Sequence, residues 1–212
     1  MLPGLWYNFL VFFLVVVFGV VLGLIFATIR LNTNIAVRAI ATFYIGLFRN
    51  APEYVTLVWF LYVPALLLSK LLESNVTFDP LVVAVMALSL SAGAFYAEIF
   101  RAGILSVPKG HIEAARATGM SRTLTLRRII LPQAIRQMLP EFLNECVSVF
   151  KGTTLVSLVM VPDLVYGVNL VSSYTGQALP LYTGIALIYF VIVFTMTSIA
   201  EKFSNPWRDK TG

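Results

Sequence analysis

Five polar side chains share one stretch of an otherwise apolar segment. Glu141, Glu145 and Ser148 recur at i, i+4 and i+7, and Asn144 and Lys151 lie beside them, so a helix carries all five on one polar stripe. An ionisable residue inside a bilayer span costs at least about 2–3 kcal/mol and usually faces a bundle interior or a water-filled cavity. The stripe offers groups that can form ion pairs and hydrogen bonds with a polar solute. The alternative is a structural network in which Glu145 pairs with Lys151 or with a neighbouring helix.

Two further charged pairs stand at helical spacing. Glu98 and Arg101 are at i, i+3 and can form a salt bridge on one helix face, and Arg49 and Glu53, at i, i+4, flank the start of the second predicted crossing. We expect a structural or gate-bracing role for both pairs rather than contact with a solute.

Membrane helices must position these groups. The chain of 212 residues is 59% hydrophobic and 12% charged, with a mean hydropathy of +0.88, which is far from the composition of soluble domains. A bilayer crossing needs roughly 20 apolar residues as helix. We predict an all-helical, single transmembrane domain over residues 1–212, with five crossings and one long loop at about 101–140. The crossings are about 5–29, 54–72, 81–100, 142–161 and 181–200.

The basic residues predict the orientation in the membrane. Of the 15 Lys and Arg residues, 13 lie on one side of the predicted crossings, including Lys202, Arg208 and Lys210 in the tail. The two exceptions are Lys70 at a helix end and Lys151 within a helix. The loops on the other side, about 73–80 and 162–180, contain no Lys or Arg. Because cytoplasmic loops are enriched in Lys and Arg, we expect the N-terminus outside and the C-terminus in the cytoplasm. This distribution accounts for the net charge of +5 without a nucleic-acid partner.

The sequence lacks the motifs of common enzymes. It contains no Walker sequence, no cluster of His and Cys with metal-ligand spacing and no G-x-S-x-G motif, and its single Cys146 excludes a disulfide within the chain. We therefore expect no catalytic residues and no metal site.

The long loop contains a short helix with a pattern of its own. Glu113, Ala114 and Ala115 stand inside a segment that begins near Gly110 and stops at Gly119, and glycine is the usual residue after a helix end. Small residues let a helix approach a partner closely. The alternative is an amphipathic helix that rests on the cytoplasmic leaflet.

A second helical stretch follows in the same loop. Residues 121–131 are basic on one side, and Pro132 is expected to end this helix because proline disfavours helix in the residue before it. Pro140 marks the approach to the fourth crossing.

The loop resembles a known family motif. Glu113-Ala114-Ala115, Gly119, Ile129 and Leu131-Pro132 have the spacing of the EAA loop in permease subunits of bacterial ATP-binding cassette (ABC) importers. In that family the loop forms a coupling helix that sits in a cleft on the ATP-hydrolysing subunit. The resemblance implies that six residues couple the chain to such a subunit: Gly110, His111, Glu113, Ala114, Ala115 and Gly119. For the lone His111, a docking or capping role is expected rather than metal binding.

Other segments are similar to the polar amino acid branch of that family. Residues 48–52, FRNAP, are similar to F-R-G-T-P, and residues 96–104, YAEIFRAGI, are similar to the end of the family's third helix. Residues 132–134, PQA, and 151–155, KGTTL, resemble P-Q-A and K-D-T-S-L. The chain departs from these patterns at four places: Asn50-Ala51 replaces Gly-Thr, Glu53 replaces an apolar residue, His111 replaces Gln, and Gly152 replaces an acidic or amide residue.

The resemblance implies a fold, a function and partners. The fold is that of a type I ABC importer permease, and the function is translocation of a polar amino acid by alternating access in the bacterial inner membrane. The implied partners are a cytoplasmic ATP-binding subunit, which binds ATP and Mg²⁺, a second permease and an extracytoplasmic amino-acid-binding protein. No cofactor is expected in this chain itself.

An amino acid substrate gives the polar stripe a specific chemistry. Glu145 can pair with an ammonium group and Lys151 with a carboxylate, while Asn144 and Ser148 supply neutral hydrogen bonds. Two alternatives stay open: a permease of the same type for another small polar solute such as a betaine, and an ATP-independent carrier or channel.

Overall fold

The computed structural model describes the backbone of residues 2–208 and the side chains of residues 3–204, and it contains helices and no strand within that part of the chain. Arg208 as a side chain and Lys210, both used above for the orientation, lie outside the described residues. In chain order the helices are α1 Leu2–Arg30, α2 Ile35–Asn50, α3 Glu53–Leu72, α4 Pro80–Leu105, α5 Lys109–Ala117, α6 Arg122–Thr125, α7 Leu131–Gly152, α8 Leu164–Thr175 and α9 Ala178–Arg208. A π-helical turn, Leu126–Ile130, joins α6 to α7, and a 3₁₀ segment, Thr153–Val159, follows α7.

The described part of the chain has five helical segments that are long and apolar enough to cross a membrane, as predicted. They are Pro3–Arg30, Glu53–Leu72, Pro80–Leu105, Arg122–Val159 and Ala178–Ser204. Large apolar side chains on several of these segments are exposed, such as Trp59 at 50% and Phe190 at 65%. Such surfaces are suited to lipid rather than to water.

Helices α1 and α4 form the most extensive helix pair of the bundle. Gly19 lies against Ala92 and Tyr96, and Gly23 lies against Tyr96 and Phe100. The later glycine of α1 contacts later residues of α4, so the two helices run in the same direction. An added Cβ would come within 2.6 Å of Tyr96 Cβ at Gly23 and within 3.0 Å of Tyr96 Cε2 at Gly19. The two glycines therefore allow the close approach of backbones that small residues provide in membrane bundles.

Helix α2 was not predicted, because its segment was taken as a cytoplasmic loop. Asn34 caps its N-terminus by accepting a hydrogen bond from the Ala36 N–H at 2.9 Å. The Tyr44 hydroxyl donates to the Leu90 carbonyl at 2.8 Å, and its ring stacks on Phe26 at 3.8 Å between centroids. Since Leu90 lies near the middle of α4, one side of this helix packs on the bundle, with Ala41, Tyr44 and Ile45 buried, while the rest of it is mostly exposed.

The fourth span begins earlier than predicted, and Pro132 does not end a helix. Helical structure continues from Arg122 to Val159, with the π turn at Leu126–Ile130 and with Pro132 in the first turn of α7. Residues in the first turn of a helix have no intrahelical acceptor for their N–H groups, so a proline there loses no hydrogen bond. The π turn just before Pro132 changes the spacing of the backbone hydrogen bonds. Pro140 is also inside α7 rather than before the fourth span.

The connection between the fourth and fifth spans contains helix α8, where a loop was predicted. Its N-cap Asp163 accepts a hydrogen bond from the Tyr166 N–H at 2.8 Å. The fully buried Asn8 of α1 donates to Asp163 Oδ2 at 3.1 Å and to Thr153 Oγ1 at 3.2 Å, and its own Oδ1 accepts from the Leu164 N–H at 3.2 Å. This network fixes the start of α8 against the N-terminal part of α1. Burial raises the pKa of the Asp163 carboxyl, and the hydrogen bonds from Tyr166 and Asn8 oppose that shift.

Candidate functional site

The short helix predicted in the long loop is present as α5, and Gly119 ends it. Thr118 is the C-cap, the Gly119 N–H donates to the Arg116 carbonyl at 2.9 Å, and the Met120 N–H donates to the Ala115 carbonyl at 3.1 Å. These two bonds define a Schellman motif, which needs a left-handed residue after the cap. Gly119 supplies it with φ = +79°.

One side of α5 is anchored and the other is exposed. Ala115 is 5% exposed and packs toward α6 and the π turn, whereas Gly110, His111, Glu113 and Ala114 are exposed. His111 Nδ1 lies 2.9 Å from Gln133 Oε1, so this side chain ties α5 to the start of α7. The helix thus presents small and charged groups on a surface that is fixed to the fourth span.

The polar stripe lies on α7, as predicted, and most of it faces away from this chain. Glu141, Asn144, Ser148 and Lys151 are exposed and Glu145 is half-buried. The alternative pairing of Glu145 with Lys151 is not formed: within the described part of the chain neither residue has an ion pair. The Ser148 hydroxyl donates to the Asn144 carbonyl at 3.3 Å.

The pair at Glu98 and Arg101 is present, and Arg30 joins it. Glu98 Oε2 accepts from Arg101 Nη2 at 2.7 Å and from Arg101 Nε at 3.0 Å. Arg30 Nε, at the end of α1, lies 3.3 Å from Glu98 Oε1, where it forms an ion pair without a hydrogen bond. Sequence spacing could not show this third member, because Arg30 belongs to a different helix.

The second pair, Arg49 and Glu53, does not form. Helix α2 ends at Asn50, Ala51 and Pro52 are extended, and α3 begins at Glu53, so the two charged residues belong to different helices. The Arg49 guanidinium carbon lies 5.3 Å from the centroid of the Phe95 ring. The i, i+4 rule assumed one continuous helix, and the break at Ala51-Pro52 removes that premise.

Beside the break lies a cavity of about 360 Å³ whose lining includes Arg49, Asn50 and Glu98. The larger cavity, of about 520 Å³ between α1 and α4, has an apolar lining apart from Ser89.

Among the described residues, no group of three or more His, Cys, Asp and Glu side chains is arranged to hold a metal ion. The single thiol, Cys146, is half-buried and lies 3.6 Å from the Tyr96 hydroxyl, which makes it a packing contact between α7 and α4.

Comparison with known proteins finds one matching family and several similar transport proteins. The family model for binding-protein-dependent transport system inner membrane components matches residues 19–207. The L-cystine transport system permease protein TcyB of Bacillus subtilis is 36% identical over 198 residues, which cover 92% of this chain and 81% of that protein. The putative glutamine transport system permease protein GlnP of Rickettsia felis is 32% identical over 187 residues, covering 88% and 83%. A crystal structure of an amino acid ABC transporter with histidines superposes with a TM-score of 0.86 at 31% identity, covering 97% of this chain and 92% of that chain.

Proposed function

This chain belongs to the family of binding-protein-dependent transport system inner membrane components, and on that premise we propose how it works. It is a permease subunit of an amino acid ABC importer and has the type I permease fold. It is a multi-pass membrane protein of the transport machinery rather than an enzyme. We propose that this chain contacts an ATP-binding subunit, a second permease and the substrate, each through different residues.

Helix α5 is the proposed contact of this chain with the subunit that hydrolyses ATP. A cytoplasmic ATP-binding subunit, which binds and hydrolyses ATP with Mg²⁺, receives the exposed side of this helix in a surface cleft. The observation that carries this assignment is the combination of an anchored Ala115 with an exposed Ala114 and Gly110. Small side chains let the partner approach the helix backbone, and the anchored side transfers a displacement of α5 to α7.

A second permease, either another copy or a relative of this chain, covers the polar stripe. Glu141, Asn144, Ser148 and Lys151 are exposed on a helix that crosses the membrane, and charged groups facing lipid are costly. Between two permeases the same residues line a passage that water and substrate can enter. Asn144, Glu145, Ser148 and Lys151 are the proposed contacts of this passage with a polar amino acid.

The proposed mechanism is alternating access. An extracytoplasmic binding protein delivers the amino acid, and ATP-driven closure of two ATPase subunits moves the two α5 helices and changes which side of the passage is open. Coupling of this kind requires that the two states of the permease bind their partners unequally. The N-terminus lies outside and the C-terminus in the cytoplasm, which places α5 on the side where ATP is available.

Replacement of Ala114 by tryptophan tests the coupling assignment. The chain is purified from native membranes with its partners, and proteoliposomes are assayed for ATP-dependent uptake of L-cystine, L-glutamine, L-arginine and L-glutamate. We expect uptake of one of them by the natural sequence, and loss of both the ATPase subunit and uptake in Ala114→Trp. Ala178→Trp is the control, because Ala178 is exposed at the opposite end of the bundle.

Two outcomes contradict the proposal. Uptake at full rate without ATP favours the carrier alternative. Full recovery of the ATPase subunit with Ala114→Trp means that the docking surface is not α5.

A further inference from the structure

A cavity with two arginines lies where the first span ends. Arg30 is the last residue of that span, and together with Arg49 of α2 it lines the cavity of about 360 Å³, which we call the basic cavity. The other polar side chains of its lining are those of Thr42, Asn50 and Glu98. None of the four proposed substrate contacts on α7 belongs to this lining. The basic cavity is therefore a different site from the polar stripe.

Both guanidinium groups of the basic cavity keep N–H donors for a ligand. Arg30 Nε lies 3.3 Å from Glu98 Oε1, but this ion pair is not a hydrogen bond, because that oxygen has no donor among the described residues. The Arg49 guanidinium lies over the Phe95 ring at 5.3 Å from its centroid and has no ion pair within the described part of the chain. Guanidinium groups bind phosphate and carboxylate oxygens through two N–H donors at once.

The charges around the basic cavity are not balanced by the protein. Among the described residues, Glu98 is the only carboxylate of the lining, and Arg30 and Arg101 share it. With Arg49 this group has three positive charges and one negative charge, which is a net charge of +2. No carboxylate comes from α1 or α2, because residues 1–52 contain no Asp or Glu. An anion in the cavity would offset this excess, which is partly removed from water.

Helix α2 presents an apolar surface beside the basic cavity. Ile40, Phe43 and Leu47 are 64%, 73% and 49% exposed, and along α2 they alternate with the lining residues Thr42 and Arg49. A helix with basic residues and an exposed apolar side is suited to the boundary between lipid and water, where its apolar side contacts acyl chains. The surroundings therefore favour an anion that is attached to an apolar group over a free inorganic anion.

We propose that the basic cavity binds the phosphate group of an anionic phospholipid, with Arg30 and Arg49 donating hydrogen bonds to its oxygens. Lipid phosphates lie where a membrane span ends, and basic pockets between membrane helices bind anionic headgroups. The bound lipid holds α2 against the end of α1. This inference goes beyond the proposed function, because it requires only that the chain spans a membrane.

Native mass spectrometry of the purified protein tests the site. The chain is purified from native membranes with its partners, delipidated in mild detergent and titrated with phosphatidylglycerol, which is anionic, or with phosphatidylcholine, which is zwitterionic. Inorganic phosphate in large excess is the competitor. Arg49→Gln removes a charge from the cavity. Gly46→Leu fills the cavity without a change of charge, because Gly46 is part of the lining and no atom lies within 4 Å of a Cβ added there.

Arg38→Gln is the matched control. Arg38 is an exposed arginine of the same helix, but it does not belong to the lining of the basic cavity. Its replacement removes the same charge and so measures the general attraction of a basic surface for anionic lipid.

We expect the natural chain to bind phosphatidylglycerol more tightly than phosphatidylcholine. Arg49→Gln should weaken the first phosphatidylglycerol bound per permease about fivefold or more and change phosphatidylcholine by less than about twofold, since only the anionic lipid loses a charged contact. Gly46→Leu should weaken phosphatidylglycerol to a similar extent, and Arg38→Gln should leave it within about twofold. Excess inorganic phosphate should not displace the lipid, because it cannot contact the apolar side of α2.

Four results overturn the inference. Equal binding of the two lipids by the natural chain shows that the site does not select an anion. Equal losses in Arg49→Gln and Arg38→Gln indicate a general effect of surface charge. Displacement by inorganic phosphate indicates a site for a free anion, and unchanged phosphatidylglycerol binding in Arg49→Gln or Gly46→Leu excludes the basic cavity. The two variants alter the cavity independently, by charge and by volume, so a failure of one to fold leaves the other as the test.

Discussion

Glu98 of α4 links two arginines, one on its own helix and one at the C-terminal end of α1. Its carboxylate contacts Arg101 of its own helix and Arg30 of α1, and its side chain is 16% exposed. Replacement of Glu98 by glutamine removes the charge that both guanidinium groups share. We expect a loss of about 1–2 kcal/mol in the free energy of unfolding, at the lower end of the range for partly buried charged hydrogen bonds because the arginines are partly solvated.

Thermal unfolding of the purified chain in detergent measures this effect. Glu73→Gln is the matched control, since Glu73 is exposed and has no ion pair within the described residues. Equal midpoints for the two variants would show that the ion pairs of Glu98 with Arg30 and Arg101 contribute nothing to stability.

At the residue scale, the sequence predicts contacts along one helix and misses contacts between helices. Glu98 and Arg101 are found from their spacing, but Arg30 is 68 residues from Glu98, and no periodic pattern connects them. The same reason explains Glu53, whose Oε2 lies 3.1 Å from the position of a Cβ added to Gly152 because of how α3 and α7 pack. Arg49 and Glu53 flank the start of α3 and do not pair, because the two extended residues between them separate the two helices.

At the element scale, the α1 and α4 pair depends on Gly23. A methyl group there would meet Tyr96 Cβ at 2.6 Å, so the two helices must separate. We expect Gly23→Ala to destabilise the bundle by about 1–3 kcal/mol through overpacking. Gly46→Ala is the control, because nothing lies within 4 Å of the added Cβ and alanine is favoured over glycine in a helix. Thermal unfolding compares the two variants, and a destabilised Gly46→Ala with an unchanged Gly23→Ala would contradict the packing argument.

The end of α5 depends on the backbone conformation of Gly119. Its φ of +79° is unfavourable for a residue with a Cβ, although an added Cβ meets no atom within 4 Å. Gly119→Ala should therefore cost about 1–2 kcal/mol of local stability by backbone strain alone. Hydrogen exchange of the α5 amides measures it, and Gly110→Ala, with equally open surroundings, should protect these amides more. Faster exchange in Gly110→Ala than in Gly119→Ala would be inconsistent with this explanation.

The existence of the long elements follows from the sequence, and their ends do not. The five apolar segments predict the five spans, and Gly119 predicts where α5 ends. Helix α2 was missed because its two arginines and mixed composition are typical of a cytoplasmic loop, although its apolar side packs on Phe26 and Ala94. Pro132 was taken as a helix end because the π turn that precedes it has no recognisable sequence pattern.

For the whole molecule, the exposed polar stripe predicts where a second permease lies. Ser148→Cys in a Cys146→Ala background should form a disulfide-linked or reagent-linked permease pair in membranes under mild oxidation, because Ser148 is exposed on the side of α7 that we propose a second permease covers. Leu187→Cys is the control, since Leu187 is 61% exposed on the apolar surface of α9. Gel mobility and mass spectrometry identify the products, which also show whether the second permease is a copy or a relative. Efficient linking through Leu187 and none through Ser148 would place the interface on the other side of the bundle.

The fourth span is long compared with the thickness of a bilayer. The helical path from Arg122 to Val159 has 38 residues, which is about 57 Å at 1.5 Å per residue, and α5 is attached near its N-terminal end. If this path turns as a stiff rod, a rotation of only about 5° about that end displaces the other end by about 5 Å, close to the pitch of one helical turn. A displacement of that size is comparable with the width of an amino acid, so in the proposed mechanism a small rotation at the α5 end is sufficient to open or close the opposite end.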